Sequence, residues 1–212
     1  MNTIEIRNQM ISLGYETHVF FIDGKPLYEY FYEWSDSNLS LFESLNPVDV
    51  FEIAWTDEYD FEADALFMRF VLGQENAITP ILLCPDDFDF SCVVIVADVI
   101  KQNDKVIWKR IGKVDHSGES YKEEERYGVL FTEAYSEEDW ERYGDNIALE
   151  KIDSPAWCDW IAKNWSDEMY RRSVNYTYPY YQNEHNIEWF SDCYFEFDRD
   201  EYEALIKKCY PG

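Results

Sequence analysis

The sequence predicts an α+β fold: a mainly antiparallel sheet built from hairpins, with helices concentrated in the C-terminal half. Short β-rich runs joined by turn dipeptides such as Asp23-Gly24 and Asn103-Asp104 occupy the first half of the chain. Capped segments with helical periodicity follow in the second half, without the long strand–helix alternation of a parallel sheet. We find no low-complexity linker and no internal repeat in residues 1–212, so we expect a single acidic α+β domain.

The strand predictions follow from β-rich composition and period-two alternation. Residues 17–34 should form a hairpin around Asp23-Gly24, whose second arm presents one wholly aromatic face. Residues 91–101 include a near-continuous apolar run, so we expect a central strand there. Its hairpin partner should place Val106, Trp108, Arg110 and Gly112 on one face. The strands expected after the first hairpin are 48–55, 77–83, 91–101, 105–114 and 188–197.

The helix predictions rest on apolar spacing and on capping residues. Residues 57–72 carry apolar side chains at helical spacing, with acids in the first turns. Capped helices should begin at Ser136, at Ser154-Pro155 and at Asp198, the last with a buried face of Tyr202, Leu205, Ile206 and Cys209. Residues 115–128 and the aromatic run 176–181 are expected to be loops.

The charge of the chain is large and unevenly distributed. The formal net charge is −26, from 44 acidic and 18 basic residues. Residues 1–100 contain only Arg7, Lys25 and Arg69 as cations against 19 acidic residues. Such a field repels nucleic acid and anionic lipid and attracts cationic partners. Solubility or salt adaptation is the alternative explanation of the acidity.

The sequence favours a cytoplasmic protein that neither enters nor crosses a membrane. The N-terminal residues lack the basic and apolar regions of a signal peptide, and the apolar runs are much shorter than a membrane span. The five cysteines are widely spaced and form no CxxC pair, which is typical of reduced thiols in the cytosol.

No sequence pattern indicates catalysis. Only His18, His116 and His185 are available for acid–base chemistry, and phosphate loops, nucleophile elbows and zinc-protease motifs are absent from the sequence. The acidic segment 84–89 offers oxygen ligands for Mg²⁺ or Ca²⁺, but its spacing is not that of an EF-hand loop. We therefore predict no catalytic residue, no metal and no cofactor, and we expect segment 84–89 to be a solvated turn or a contact surface for a basic partner.

The candidate partner-binding residues come from several acidic segments and one aromatic segment. Carboxylates attract a basic protein, and tyrosine side chains give contact area with a polar tip. The alternatives are solvated acidic faces and an aromatic segment packed on its own domain. The candidates are Asp57, Asp60, Asp64, Asp86, Asp87, Asp89, Glu123, Glu124, Glu125, Tyr178 and Tyr180.

These features favour a cytosolic protein-binding inhibitor that covers the basic site of a toxin or nuclease-like protein. In size, acidity, aromatic content and lack of a signal peptide, the chain resembles bacterial immunity proteins of polymorphic or contact-dependent toxin systems. The resemblance implies a small protein that binds and neutralises one cognate toxin in the producing cell. The alternatives are a DNA-mimic inhibitor of a nucleic-acid-binding protein, an enzyme with a carboxylate-based site, and an accessory domain.

Overall fold

The computed structural model describes residues 1–35, 48–56, 59, 62–85, 89–90, 92–118, 177–191 and 193–209. The strands of these residues are β1 (Ile4–Met10), β2 (Glu16–Ile22), β3 (Lys25–Pro26), β4 (Glu52–Ile53), β5 (Asn76–Leu83), β6 (Val94–Lys101), β7 (Lys105–Val114), β8 (Ile187–Ser191) and β9 (Phe195–Asp198). Their helices are α1 (Leu27–Ser35), α2 (Glu62–Leu72), α3 (Tyr178–Gln182) and α4 (Arg199–Cys209). The predicted α+β class with antiparallel sheets is confirmed.

Two antiparallel sheets carry the fold. The larger has the order β4-β5-β6-β7-β8. β7 pairs with β6 along one edge, while its other edge pairs first with β9 and then with β8. The smaller sheet has the order β1-β2-β3. A parallel bridge between Asn2 and Phe197 joins the start of β1 to β9.

The centre of the larger sheet is where the apolar sequence predicts it. Val94, Ile95, Val96 and Ala97 of β6 are each 0% exposed, as expected for a strand covered on both faces. The predicted strands at 77–83, 91–101 and 105–114 are found with small changes at their ends, and the last two pair as the predicted hairpin.

The predicted alternation along β7 is interrupted by a bulge. Val99 pairs with Trp108 and Ala97 pairs with Ile111, so β7 has one extra residue at this point. Trp108 and Ile111 both become fully buried, and Arg110 lies outside the core, where it pairs with Asp98 at 2.9 Å. The prediction that Trp108 and Arg110 share a face is therefore wrong.

Gly112 allows β7 and β8 to approach closely after this bulge. A Cβ atom built at Gly112 would lie 2.7 Å from the main-chain oxygen of Glu188 and 2.7 Å from Cγ2 of Ile187. A side chain at position 112 would force these strands apart.

The prediction of a second hairpin arm at residues 26–34 is wrong beyond Pro26, because Leu27–Ser35 forms the helix α1 instead. The Asp23-Gly24 turn is present, with both residues at positive φ, but β3 ends at Pro26. Leu27 and Phe31 lie one helical turn apart and are buried, while Glu29 and Glu33 are exposed. The alternating sequence is compatible with the two-residue period of a strand and with the 3.6-residue period of a helix. Burial of Leu27 and Phe31 favours the helix.

Other strand predictions were only partly right. Residues 48–55 contain a 3₁₀ turn at Val48–Val50 and the two-residue strand β4. The single strand predicted at 188–197 is replaced by two strands, β8 and β9, and Tyr194 between them has a φ of 47°. β1 was not predicted at all, because the polar run from Arg7 to Gln9 masks its alternation.

The helix predicted at Asp198 is confirmed as α4, and the one predicted at 57–72 is confirmed as α2 from Glu62 to Leu72, whereas Tyr59 is not helical. The Glu201 N–H donates to the Asp198 carboxylate at 3.0 Å, which caps α4, and Tyr202 and Leu205 are buried as expected. The helices predicted at Ser136 and Ser154, and the loop from residue 119 onward, lie outside the described residues.

Aromatic rings dominate the core between the sheets and α4. Trp108 is fully buried, and its ring centroid lies 5.9 Å from that of Phe20, 6.1 Å from that of Trp55 and 5.3 Å from that of Phe197. Its indole N–H donates to the Tyr202 hydroxyl at 2.9 Å. Among the described residues, no helix has the length and apolar character needed to cross a membrane.

Candidate functional site

The start of α2, the end of the β5–β6 connection and α3 meet at one corner of the domain. We call it the acidic–aromatic corner and define it by Asp64, Asp89, Tyr59, Phe90 and Tyr181. The Phe90 ring lies 5.4 Å from Tyr59 and 5.7 Å from Tyr181, centroid to centroid. Edge-to-face and tilted contacts of this kind add to the energy of apolar burial. Two of the predicted site residues, Asp64 and Asp89, are thus brought together.

Asp64 is the most perturbed carboxyl of the corner. Burial, followed by repulsion from the Asp89 carboxylate, raises the pKa of Asp64 from 3.8 to about 7, while a hydrogen bond from the Phe90 N–H partly opposes this shift. Asp64 therefore changes its charge near neutral pH. It can hold a proton as a general acid, or lose it when a cation approaches.

Tyr178 and Tyr180 lie on α3, where a loop was predicted. Their side chains are half-buried: Tyr178 packs edge-on against Phe70, with centroids 5.1 Å apart, and the Tyr180 hydroxyl donates to the main-chain oxygen of Asp115 at 2.5 Å. Gln182 anchors α3 by accepting from the Ile78 N–H at 2.8 Å and donating to its C=O at 2.9 Å. This part of the aromatic segment thus packs on its own domain and leaves Tyr178 and Tyr180 partly exposed.

The remaining predicted site residues lie outside the described residues, so their roles stay predictions. They are Asp57, Asp60, Asp86, Asp87, Glu123, Glu124 and Glu125. Their neighbours in sequence are informative, because Tyr59 and Asp89 both belong to the corner. In the described ranges, no group of three or more His, Cys, Asp or Glu side chains is placed to hold a metal ion.

The sequence did not reveal a second exposed feature, the tip of the β1–β2 hairpin. Met10, Leu13 and Tyr15 are 56%, 63% and 43% exposed there. The only signal in the sequence is Gly14, which takes the positive φ of 84° that the tip requires.

Comparison with protein-family models, curated proteins and solved structures finds no match to this chain. The candidate surfaces therefore rest on the geometry and charge of the described residues.

Proposed function

We propose that the chain is a protein-binding inhibitor of the immunity type, which neutralises a cognate basic toxin in the cytoplasm through an acidic and aromatic surface. The observations that carry the proposal are the surplus of acidic groups in the sequence and the ion pairing of most cations in the described part of the chain. The formal charge of −26 is the starting point.

Most described cations are engaged with carboxylates of the same chain. Arg7 donates to Glu5 at 2.9 Å, and Lys25 lies 2.6 Å from Glu33. Arg199 binds Glu75 at 2.8 Å and Glu203 at 2.7 Å, and hydrogen bonds to these two carboxylates raise its pKa. The other described cations in ion pairs are Lys105, Lys109, Arg110 and Lys113.

Acidic residues outnumber basic ones by 44 to 18, and in the described part of the chain the ion pairs leave few cations that could repel a basic partner. Opposite charge speeds association and orients the encounter, while aromatic and apolar side chains give the contact its lasting affinity. The acidic–aromatic corner supplies both kinds of group. The proposal therefore predicts a cationic protein partner.

The test begins with the coding sequence immediately upstream, whose product is the candidate toxin. Co-expression of its C-terminal domain with this chain should restore growth, and the two proteins should form a complex that added salt weakens. Charge reversal by Asp89→Lys should weaken binding, while Asp200→Lys on α4 serves as the control. A toxin that remains active in the presence of stoichiometric, folded chain would contradict the proposal.

A DNA mimic would give the same salt dependence, so aromatic variants separate the two inhibitors. Tyr180 also supports the fold through Asp115, so exposed Tyr15 and Tyr32 give cleaner variants. If Tyr15→Ser, Tyr32→Ser and Tyr178→Ser on α3 all leave the affinity unchanged while Asp89→Lys weakens it, the mimic is favoured.

A carboxylate-based enzyme is the second candidate, and the Asp64–Asp89 pair favours it. A carboxyl with a pKa of about 7 suits proton transfer at neutral pH. Calorimetry with Mg²⁺ and Ca²⁺ tests the metal-dependent form of this candidate. Tight binding that Asp64→Asn abolishes would support the enzyme over the inhibitor.

A further inference from the structure

The main-chain groups of β1 alternate between its two edges. Thr3 faces β2, because its N–H donates to the Asp23 carboxylate at 2.8 Å and its C=O accepts from the Asp23 N–H at 3.1 Å. Asn2 faces the other way, because its N–H donates to the Glu196 C=O. The β1–β2 register continues without a shift, so the alternation holds along the strand. Four residues therefore direct main-chain N–H and C=O groups outward: Ile4, Ile6, Asn8 and Met10.

This outer edge has no strand partner beyond Asn2 in the described part of the chain, and α4 packs against β1 without pairing with it as a strand. Beyond the bridge at Asn2, no described strand pairs with it, and the four outward N–H groups donate to no described main-chain oxygen. A free edge is a template for another strand. From Ile4 to Met10 it extends about 20 Å at the usual rise per residue.

The hairpin tip continues this edge with a fixed apolar surface. Met10, Leu13 and Tyr15 are exposed, whereas Ile11 between them is buried. The Ile11 N–H donates to the Tyr15 C=O at 3.0 Å, and the Gly14 N–H donates to the Ile11 C=O at 3.0 Å. Large apolar groups held in this way bind a partner at a low cost in conformational entropy.

The tip is also braced from outside, and acids beside it include Asp49, which binds Ser12, and Glu16, which pairs with Met10. The Ser12 N–H and hydroxyl donate to the Asp49 carboxylate at 2.8 and 3.0 Å. Residues 1–35 contain five acidic and two basic residues, and both cations, Arg7 and Lys25, are paired within that segment. A second copy of the chain would bring two such acidic surfaces together, so the charge favours a basic occupant.

We propose that the outer edge of β1 and the hairpin tip form one docking surface, on which an extended, basic segment of a partner protein adds as a further strand. Main-chain hydrogen bonds to the outward groups supply the pairing, the tip contacts apolar side chains, and the surrounding acids select cationic segments. The inference rests on the proposed function for the identity of the partner as a basic protein.

The test uses synthetic nine-residue peptides and the isotope-labelled full chain. One peptide alternates Lys and Val, a second alternates Glu and Val, and a third is the Lys peptide with alternate main-chain nitrogens methylated. At about ten times the dissociation constant, the Lys peptide should slow amide exchange at Ile6, Asn8 and Met10 about ten-fold. The other two peptides should have no such effect.

Asn8→Pro is the matched variant, because it removes an outward N–H and leaves the bonds to β2 intact. We expect it to fold and to bind the Lys peptide about ten-fold more weakly, whereas Asn8→Ala binds normally. Leu13→Ser tests the tip without touching the ladder and should also weaken binding. The proposal would be overturned if the β1 amides were not protected, or if the protected amides lay elsewhere in the chain. It would also be overturned if the Glu peptide protected β1 equally, or if β1 paired with a second copy of the chain.

The two proposals fail separately. If the Lys peptide protects β1 but the toxin is not neutralised, the proposed function fails alone. If the toxin is neutralised and the β1 amides exchange as in the free chain, the docking surface fails alone.

Discussion

Replacing Asp64 with Asn removes a carboxyl that the folded chain holds near neutrality. Its pKa is raised from 3.8 to about 7. A raised pKa in the folded state means that the folded chain binds a proton that the unfolded chain has lost. The wild type should therefore lose stability as the pH rises from about 4 to about 7, and then change no further from this cause.

The size of the effect follows from the shift. About three pKa units at about 1.4 kcal/mol each give about 4 kcal/mol, which is an upper bound because water still reaches part of the side chain. Asn keeps the oxygen that accepts from the Phe90 N–H and carries no charge. The difference in unfolding free energy between Asp64→Asn and the wild type should be near zero at pH 4 and reach a plateau above pH 8.

The assay is urea unfolding followed by tryptophan fluorescence from pH 4 to pH 9 at constant ionic strength. Asp89→Asn is the informative companion, because repulsion by Asp89 ranks second to burial as a cause of the Asp64 shift. It should give a smaller gain in stability at high pH, and exposed Asp200→Asn should give no comparable pH-dependent gain. A difference between Asp64→Asn and the wild type that does not change with pH would refute the reasoning.

Three further variants test the packing. Gly112→Ala should destabilise the fold by about 3 kcal/mol, because its Cβ would lie 2.7 Å from the main chain of β8. Gly73→Ala should destabilise it less, because the nearest contact of its Cβ is at 3.3 Å. Equal losses of stability in urea unfolding would contradict the close approach at Gly112. Tyr202→Phe leaves the buried Trp108 N–H without its acceptor and should cost about 1–3 kcal/mol in the same assay; an unchanged midpoint would show that this bond contributes nothing. Asp198→Ala removes the cap of α4 and should cost about 1 kcal/mol, with Asp198→Ser restoring most of it, and failure of that rescue would argue against capping.

Local chemistry was sufficient to predict the strands and caps that depend on neighbours in sequence. The run from Val94 to Ala97 is apolar on both faces, so it had to lie centrally, and Asp198 precedes its helix with the expected acceptor. The same reasoning was wrong for residues 26–34, because alternate aromatic residues are compatible with the periods of both a strand and a helix. Only packing of Leu27 and Phe31 into the core decides between them.

The candidate site was predictable in composition but not in arrangement. The acids near residues 64 and 89 stand out in the sequence, yet their meeting depends on how α2 packs beside the β5–β6 connection. The β1 edge could not be predicted from the sequence for a different reason. Its exposure is a property of sheet order, which no residue of β1 encodes by itself.

The pH dependence of binding distinguishes a basic partner at the acidic–aromatic corner from one at the β1 edge. A cation placed beside Asp64 favours the ionised carboxyl, so binding at the corner below pH 7 must release a proton. Affinity should then fall as the pH drops from 8 to 6, by up to about ten-fold per unit below the pKa. Pairing along β1 releases no proton from Asp64.

Calorimetry of the complex in buffers of different ionisation enthalpy measures this proton release directly. Release that Asp64→Asn abolishes assigns the partner to the corner. Affinity that is constant with pH, lost in Asn8→Pro and kept in Asn8→Ala assigns the partner to the β1 edge. The Pro variant removes an outward main-chain donor of β1 and replaces no residue of the corner.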